Sequence, residues 1–391
     1  MKRILIIKSK DELKPVGGPS GYLYNLSKGL EGKEYVDFLR SNNNNNEISS
    51  STKITLISRI RKFFENNRSL KKAYSNVYLL KKIILSKSYL DENYLDDYDV
   101  IHFHSTVALF INRRVIKKFK GKVVLTSHCP KPWHLEYFDD DLSKMEKIVY
   151  LPLKSFLESV DKYSFENADY IHFPCEEAEE PYCNNWEYFS ILKSRFSDKF
   201  IYFTSGVEKN AITSGRDEVR DLYNIPQNAK VFSFVGRHNE TKGYDSLKRV
   251  AQRVLSENEN VYFLIAGVEY PLKGIKHKNW IEVGWTREPF NIIAAADYFT
   301  LPNKETFFDL VLLEALSIGA TPLVSTTGGN LFFKKYADLD MHFFSNEDEF
   351  YHALINLPEN KNLSEKNKCL CQNEFSVKAF SQRYLDLMDR I

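Results

Sequence analysis

The sequence contains few cysteines, almost no net charge and no long hydrophobic run. Its 391 residues include five cysteines, an odd number in a long chain, which argues against a small disulfide-stabilised scaffold. Lys and Arg total 54 against 52 Asp and Glu, and this balance argues against a globally basic nucleic-acid-binding protein. No stretch approaches the roughly 20 apolar residues of a membrane span. We therefore expect a cytoplasmic globular protein without a nucleic-acid partner.

Short apolar runs alternate with longer amphipathic segments along the whole chain. The first run, Ile4–Ile7, is too short for the apolar core of a signal peptide, so we interpret it as a strand. Eight further runs share this character: 100–103, 123–126, 170–173, 200–203, 231–235, 262–266, 298–301 and 321–324. Continuous apolar strands separated by helix-length segments are typical of parallel sheets covered on both faces. The pattern predicts an α/β fold.

The length predicts more than one domain, at about 100–200 residues each. A stretch rich in Gly, Ser and Thr at 204–215 interrupts the alternation, which restarts at Val231. We place the domains at residues 1–205 and 206–374. The final segment, 375–391, predicts a terminal helix from apolar residues at helical spacing, namely Val377, Phe380, Tyr384 and Leu387.

Two polar segments of the first half have different compositions. Residues 41–52 are rich in Asn and Ser and predict a surface loop without chemistry. Residues 58–87 carry nine cations against Glu65 alone. Some of their apolar residues fall near one helical face: Ile60, Phe63, Phe64, Tyr74, Val77 and Ile84. The segment is either an amphipathic helix packed on its own domain, with a solvated basic side, or a surface, Arg59–Lys87, for an anionic membrane or a phosphorylated acceptor.

Two cations of the second half stand in a loop that follows a predicted strand. Arg237 and Lys242 lie five residues apart in the segment Gly236–Gly243. Open α/β sheets bind ligands at the carboxyl edge, where this loop is placed. A diphosphate can be held there without a metal by the planar guanidinium of Arg237, the ammonium of Lys242 and the backbone N–H groups of the loop. The alternative is a pair of solvated surface cations.

Two more features of the second half indicate a polar ligand. Glu314 lies in a strongly apolar helical segment, where an unpaired carboxylate is costly, so it invites a hydroxyl-bearing ligand such as ribose. Thr327, Gly328 and Gly329 form a glycine turn after another predicted strand.

The first half contributes a glycine loop and three histidines. Gly17 and Gly18 follow the first strand and precede a helical stretch, which suits either an anion at a helix N-terminus or a simple tight turn. His128 follows the third predicted strand and either contacts substrate or caps the turn. His102 and His104 alternate along one strand. We expect one of them to face the core and the other the cleft edge, with no metal between them.

Taken together, five segments resemble the retaining glycosyltransferases of the GT-B fold, family four, of the bacterial polysaccharide-assembly type. They are the glycine loop Gly17-Gly18, the D-V-I-H-F-H strand Asp99–Ser105, the T-S-H segment Thr126–His128, the F-V-G-R…K-G loop Phe234–Gly243 and the L-E-A-L block Leu313–Val324. The last two are the most specific. The resemblance covers most of the chain.

The resemblance implies two Rossmann-like domains that face each other across a cleft. The nucleotide-sugar donor would bind mainly to the C-terminal domain and the acceptor mainly to the N-terminal domain. The terminal helix, 375–391, would return to the first domain. Domain closure would exclude water and limit hydrolysis of the donor.

The resemblance also implies roles for individual residues. Arg237 and Lys242 would grip the donor diphosphate, Glu314 would hold the ribose hydroxyls, and His128 would contact the transferred sugar. The full donor-binding set implied is Gly17, Gly18, Gly236, Arg237, Lys242, Glu314, Thr327, Gly328 and Gly329.

The chain departs from the family pattern at one carboxylate. The family commonly has a second Glu eight residues before the ribose Glu, and this position is Thr306. Either Glu305, through a one-residue bulge, or Asp309 would then contact the sugar. In addition, Gly328-Gly329 is not followed by the usual Pro-Glu.

Two classes of function follow. The first is a metal-independent, cofactor-free enzyme that moves a hexose-type sugar, with retention, from a UDP- or GDP-type nucleotide sugar to a glycan or lipid-linked saccharide. The basic segment Arg59–Lys87 and the run Pro130–His134 both fit a lipid-linked glycan, as in capsule or exopolysaccharide assembly, and a peripheral membrane location. The alternative is a non-catalytic GT-B subunit that binds a glycan or a partner enzyme. A third hypothesis is a nucleotide-sugar epimerase of the same fold, but the sequence lacks the differently placed catalytic carboxylates that such an enzyme would need.

Overall fold

The structure is a computed structural model that describes residues 1–8, 13–15, 17–40, 68–86, 88–138 and 144–391. It contains two six-stranded sheets in which all neighbouring strands are parallel. The first sheet has the order β2-β1-β3-β4-β5-β6, with β1 Ile4–Lys8, β2 Val36–Arg40, β3 Val100–Phe103, β4 Lys122–Thr126, β5 Tyr170–Phe173 and β6 Phe200–Tyr202. The second has the order β12-β11-β10-β7-β8-β9, with β7 Lys230–Val235, β8 Val261–Ala266, β9 Trp280–Gly284, β10 Tyr298–Leu301, β11 Pro322–Ser325 and β12 His342–Phe344. The predicted α/β fold is confirmed.

Helices connect the strands and cover the sheets. In the first half they are α1 Gly18–Gly29, α2 Arg68–Leu85, α3 Glu92–Leu95, α4 Thr106–Ile111, α5 Arg113–Ile116, α6 Trp133–Glu136, α7 Lys144–Val149, α8 Leu151–Asn167, α9 Glu180–Asn185 and α10 Glu187–Arg195. In the second half they are α11 Arg216–Leu222, α12 Tyr244–Glu257, α13 Pro289–Ala294, α14 Leu310–Ser317, α15 Glu347–Asn356, α16 Glu365–Glu374 and α17 Val377–Arg390. Three 3-10 helices span Glu176–Glu179, Ser197–Lys199 and Gly328–Lys335.

Each of the nine predicted strands is present, with its ends shifted by a residue at most. The strands that sequence reasoning missed are β2, β9 and β12, and each forms an edge of its sheet. An edge strand has a neighbour on one side alone, so it needs fewer apolar residues than a central strand. Accordingly, β2 contains Asp37 and β9 contains Glu282 within their short runs.

The terminal helix α17 packs against the first sheet. Phe380, Tyr384 and Met388 are fully buried in one cluster with Ile4 and Ile6 of β1. The helix also crosses α1 closely, since a Cβ added to Gly29 would lie 2.6 Å from Ser381 Cβ. The chain leaves the first sheet after β6 and enters α11 at Arg216. The domain limits at 205–206 and 374–375 stay predictions.

The basic segment is described from residue 68 onward, as α2, together with Ser86. Its helix packs through Ile83 and the partly buried Leu79 and Leu80 on Leu157 of α8. Val77 and Ile84 are 64% and 54% exposed, so the predicted apolar face is not the one that packs. The face that packs is determined by α8, which lies elsewhere in the chain and which no pattern within residues 58–87 reveals. Residues 41–67 and Lys87, including Arg59, Ile60, Phe63 and Phe64, lie outside the described residues.

Candidate active site

Three segments with candidate site residues follow neighbouring strands of the second sheet. The loop Gly236–Gly243 follows β7, residues 302–309 follow β10, and residues 326–329 follow β11. Because β11, β10 and β7 are adjacent and parallel, their carboxyl ends bring these segments to one edge. Gly243 at φ 65° lies so close to Pro302 that an added Cβ would fall 1.6 Å from its carbonyl oxygen. Glycine is therefore required where the first two segments touch.

Lys242 is held by a carboxylate of the next segment. Its Nζ lies 2.6 Å from Asp309 Oδ1, and the two side chains are 21% and 15% exposed. Asn303 Nδ2 donates to the other oxygen of Asp309. Arg237 is exposed and makes no ion pair with any residue the structure describes. The loop thus contains one fixed cation and one that is open to a ligand.

Glu314 is a desolvated carboxylate. It lies in α14 between the buried Leu313 and Ala315, and its side chain makes no hydrogen bond within the described part of the chain. Burial raises the pKa of Glu314 to about 7. An acceptor removed from water in this way is stabilised by hydroxyl donors, as the sequence predicts for this residue.

Glu305 connects the second sheet's edge to the first half of the chain. Its Oε2 lies 2.9 Å from Lys131 Nζ, and its Oε1 accepts a hydrogen bond of 3.2 Å from Asn185 Nδ2. The Lys131 side chain is 10% exposed and that of Glu305 is 21% exposed. A second contact between the two halves joins the rings of Phe173 and Phe307, whose centroids are 5.4 Å apart. Sequence reasoning missed this contact of Lys131, whose only signal was its place between two prolines.

The amides of the Thr327–Gly329 turn already have partners. Gly328 N–H donates to the carboxylate of Glu180. The Thr327 hydroxyl lies 3.1 Å from the Lys304 carbonyl oxygen and 3.4 Å from the same Glu180 oxygen. Gly329 N–H donates to the Thr306 carbonyl at 3.3 Å. The turn therefore does not present a free row of amides. It accommodates an anion nonetheless, because a carboxylate occupies it.

The glycine loop of the first half is open to solvent. Gly17 has φ 79°, in the left-handed region that favours glycine, and both Gly17 and Gly18 are exposed. The N-cap residue of α1 is Gly17, which has no side chain with which to cap the helix. Val16 lies outside the described residues. Tyr22, one turn into α1, has its ring centroid 4.6 Å from that of His128. The loop and His128 thus share the carboxyl edge of the first sheet.

His128 is tightly constrained. Its backbone has φ 61°, which is unusual for a residue other than glycine. Its Nε2 lies 2.7 Å from His104 Nδ1, and the two rings stack with centroids 5.0 Å apart. Burial lowers the pKa of His128 to about 3, so the ring is neutral at physiological pH.

His102 and His104 lie on the same face of the first sheet, with His102 nearer the core and His104 toward the carboxyl edge. Residues two apart on a strand share a face, and the two rings are 4.0 Å apart. Both side chains are buried, His102 in the core and His104 against His128. Burial lowers the pKa of each well below its usual value.

His102 belongs to a second chain of buried hydrogen bonds. Its Nε2 and the Thr126 hydroxyl are 2.8 Å apart, and that hydroxyl lies 2.8 Å from His172 Nδ1. His172 Nε2 donates to the Phe203 carbonyl at 2.9 Å. At the other end, the Tyr384 hydroxyl of α17 lies 3.3 Å from His102 Nδ1. The network links the terminal helix to three strand residues of the first half and to Phe203, which follows β6, and it is fully satisfied.

Two kinds of feature are absent from the described residues. No group of three or more His, Cys, Asp or Glu side chains in this part of the chain is arranged to hold a metal ion. No helix among the described residues is long and apolar enough to cross a bilayer.

Two family models match, one for each half of the chain. The model described as Glycosyltransferase Family 4 matches residues 16–188, and the one described as Glycosyl transferases group 1 matches residues 229–360. They include the glycine loop, His128 and the segments with Arg237, Lys242 and Glu314. Together they cover most of the chain.

Individual relatives are distant. An O-antigen biosynthesis glycosyltransferase of Escherichia coli is 20% identical over 296 residues, covering 66% of this chain and 81% of the relative. The UDP-Gal:alpha-D-GlcNAc-diphosphoundecaprenol alpha-1,3-galactosyltransferase of Escherichia coli is 26% identical over 183 residues, covering 43% of this chain and 46% of that enzyme.

A solved structure shares the whole fold. The crystal structure of the Anabaena protein HepE in complex with UDP-glucose superposes with a TM-score of 0.63 at 12% identity, over 100% of both chains. The two facing parallel sheets are those of the GT-B fold. The chain therefore belongs to the family 4, group 1 glycosyltransferases and is a nucleotide-sugar-dependent transferase of the GT-B fold.

Proposed function

We propose that this enzyme transfers a hexose from a UDP-sugar to a lipid-linked saccharide during assembly of a bacterial surface polysaccharide, with retention of configuration. The observation that carries the donor side is the ion pair of Lys242 with Asp309, the residue before α14. It joins the β7 loop, which also contains Arg237, to the start of the helix that contains the desolvated Glu314. The names of the two Escherichia coli relatives support the class of acceptor, and the galactosyltransferase supports UDP.

Lys242 and Arg237 bind the donor diphosphate and stabilise the negative charge that develops on it. They are the two cations of the β7 loop, one partly buried and one exposed. Prearranged cations at the leaving group are an effective form of electrostatic catalysis. Glu314 accepts hydrogen bonds from the ribose hydroxyls, while Gly236 and the open Gly17-Gly18 loop let the donor approach closely.

Glu305, rather than Asp309, is our candidate for the carboxylate that contacts the sugar. Asp309 is bound to Lys242 and Asn303, so its role is to hold the diphosphate-binding cation. Glu305 faces Lys131 of the first half, on the side where His128 lies. His128 then contacts the sugar from the opposite domain.

The reaction needs neither a metal nor a protein nucleophile. The bond between the anomeric carbon and the diphosphate oxygen breaks, and the acceptor oxygen forms a new bond on the same face of the sugar. The acceptor proton passes to the departing phosphate oxygen. Contacts across the cleft, such as Lys131 with Glu305, support a closed state that excludes water.

The acceptor side offers a surface for an anionic bilayer at the cytoplasmic face of a membrane. Val77, Ile84 and Leu85 of α2 are more than half exposed and are interleaved with exposed Lys81 and Lys82. Helix α7, in the same half of the chain, also has exposed apolar side chains, namely Met145, Ile148 and Val149. Exposed apolar side chains among lysines suit an interfacial contact with anionic lipid.

Vesicle co-sedimentation tests the membrane contact. The full chain should bind vesicles of anionic lipid at low salt, and a Val77→Glu/Ile84→Glu variant should bind less. Zwitterionic vesicles are the matched control. Equal binding to both kinds of vesicle, or none at low salt, contradicts the proposal.

A donor screen tests the reaction itself. The purified chain is incubated with UDP- and GDP-hexoses, and release of nucleoside diphosphate is measured. Turnover of one UDP-hexose supports the proposal. A GDP-sugar preference contradicts the UDP assignment, and absence of donor binding favours the non-catalytic alternative.

A further inference from the structure

The contact between His104 and His128 is a hydrogen bond between two imidazole rings, in addition to their packing. The distance from His104 Nδ1 to His128 Nε2 is 2.7 Å, a short and direct hydrogen bond between two rings. Both imidazoles are neutral, because burial lowers both pKa values. In a neutral pair one nitrogen donates and the other accepts, so this bond fixes which nitrogen of each ring carries its proton.

The surroundings of His104 indicate the direction of the bond. His104 is 4% exposed, and its second nitrogen, Nε2, has no hydrogen-bond partner in the described structure. If Nε2 carried the proton, a buried N–H donor would be left unsatisfied, which native proteins avoid more strictly than an unsatisfied acceptor. The proton of His104 is therefore on Nδ1, and His104 donates to His128 Nε2.

The proton of His128 then lies on its other nitrogen. With Nε2 accepting from His104, a neutral His128 ring carries its proton on Nδ1. His128 Nδ1 makes no hydrogen bond with any described residue, and the side chain is partly exposed. Its N–H therefore remains available to a ligand at the carboxyl edge of the first sheet.

We propose that His104 is a positioning residue that holds His128 as the Nδ1–H tautomer, which donates a hydrogen bond to a hydroxyl oxygen of the transferred sugar. Two further contacts keep the ring in place. Tyr22 lies edge-on to His128 at 4.6 Å, and the left-handed backbone at φ 61° sets its direction. The part that concerns the sugar rests on the proposed function. The part that concerns the tautomer does not.

Nitrogen NMR of the ¹⁵N-histidine-labelled full chain, without ligand, tests the tautomer. His128→Gln assigns the resonances. We expect a protonated, pyrrole-type Nδ1 and an unprotonated, pyridine-type Nε2 for His128. In His104→Leu the two His128 signals should move toward a mixture of tautomers, and in His104→Asn, whose amide can donate from a similar position, they should be restored. A protonated Nε2 in the wild type, or an unchanged spectrum in His104→Leu, overturns the proposal.

Thr126→Val is the matched control. It breaks the neighbouring network of His102 and His172 at similar burial, without touching His104. We expect it to lower the melting temperature and to leave the His128 tautomer unchanged. A change of tautomer in this variant as large as that in His104→Leu would mean that general loosening of the sheet, not His104, is responsible, and it would overturn the proposal.

Kinetics test the sugar contact. With the UDP-hexose found in the screen, His104→Leu should lower kcat/KM about tenfold, the size of one hydrogen bond to a substrate hydroxyl, and His104→Asn should recover most of it. Unchanged kinetics with an altered tautomer would overturn the sugar contact. If no donor is turned over, the proposed function fails, whereas the NMR result still decides the tautomer.

Discussion

The donor side of the site contains charged ion pairs, whereas the acceptor side contains a pair of neutral histidines. On the donor side, Lys242 is paired with Asp309 and Glu305 with Lys131, and these side chains are 10–21% exposed. On the acceptor side, His104 and His128 are neutral, with pKa values below their usual range. The donor side thus relies on ion pairs that remain partly hydrated, one of them shared with Lys131 of the first half, whereas the histidine pair consists of two uncharged, stacked rings.

This difference matches the charges that develop in sugar transfer. Negative charge grows on the leaving diphosphate, and cations such as Lys242 stabilise it. Positive charge grows at the anomeric carbon, and a cationic histidine beside it would oppose that change. Neutral histidines can orient sugar hydroxyls without this penalty. We therefore expect activity to depend on the charges of the donor side and on the orientation of the histidines on the acceptor side.

The severest loss is expected for Lys242→Ala. Turnover should fall about 10²–10³-fold, because the variant removes a cation at the leaving group and leaves Asp309 without its cationic partner. Steady-state kinetics with the screened donor measure the loss, and circular dichroism checks the fold. Lys361→Ala removes an exposed lysine of the same half and serves as control. Near-normal turnover of Lys242→Ala contradicts the diphosphate assignment.

Glu305→Gln should lower kcat about 10–100-fold, more than Asp309→Asn does, if Glu305 contacts the sugar. A larger loss in Asp309→Asn would reverse the assignment.

A double-mutant cycle with Lys131→Met measures the coupling of Lys131 and Glu305 across the cleft. We expect about 1–3 kcal/mol, because both side chains are largely removed from water. The exposed pair Lys118–Glu92, with side chains 68% and 49% exposed, is the control and should couple by less than about 1 kcal/mol. Equal coupling in the two pairs would contradict a special role for the first.

Glu314→Gln should weaken donor binding and stabilise the fold. KM for the donor should rise about tenfold, because a neutral amide accepts ribose hydrogen bonds less strongly than a carboxylate. The pKa of Glu314 is raised from 4.5 to about 7, so wild-type stability is lost as pH rises through this window. The variant lacks this loss and should be more stable at pH 8 by about 1–3 kcal/mol, with little difference at pH 4.5. Urea unfolding at both pH values checks the sign.

The smallest effect is expected for Glu180→Gln. The Glu180 carboxylate accepts the hydrogen bond of Gly328 N–H and places negative charge at the turn that is predicted to contact the diphosphate. Its neutralisation should lower KM for the donor about two- to five-fold, which corresponds to about 1 kcal/mol or less. Glu176→Gln, on the preceding 3-10 helix and exposed, should have no effect. A higher KM in Glu180→Gln would mean that this contact assists donor binding.

Much of the fold was predictable because central strands are covered on both faces. Their continuous apolar runs mark them in the sequence, as in Val100–Phe103 and Val231–Val235. The missed strands β2, β9 and β12 lie at sheet edges, where one neighbour suffices and charged residues are tolerated. The predicted apolar face of α2 was wrong, because the residues of α8 on which the helix packs lie far along the chain.

The site divides in the same way. Residues that follow a strand directly, such as Lys242 and His128, were predictable, because a parallel sheet brings all carboxyl strand ends to one edge. Their partners were not. Lys131 reaches Glu305 from 174 positions away in a sequence where neither spacing nor periodicity connects them. Glu180 is likewise 148 positions from Gly328.

The sequence alone thus identified the α/β class, the family resemblance and the types of residue at each sheet edge, since these depend on local patterns of burial and turns. The packed structure was needed to show that Asp309 binds Lys242, that Glu305 crosses to Lys131 and that His104 bonds His128. The physical reason is that ion pairs and hydrogen bonds act over a few ångströms of space. Their energies, and the protonation states that follow, depend on which distant segments the fold brings together.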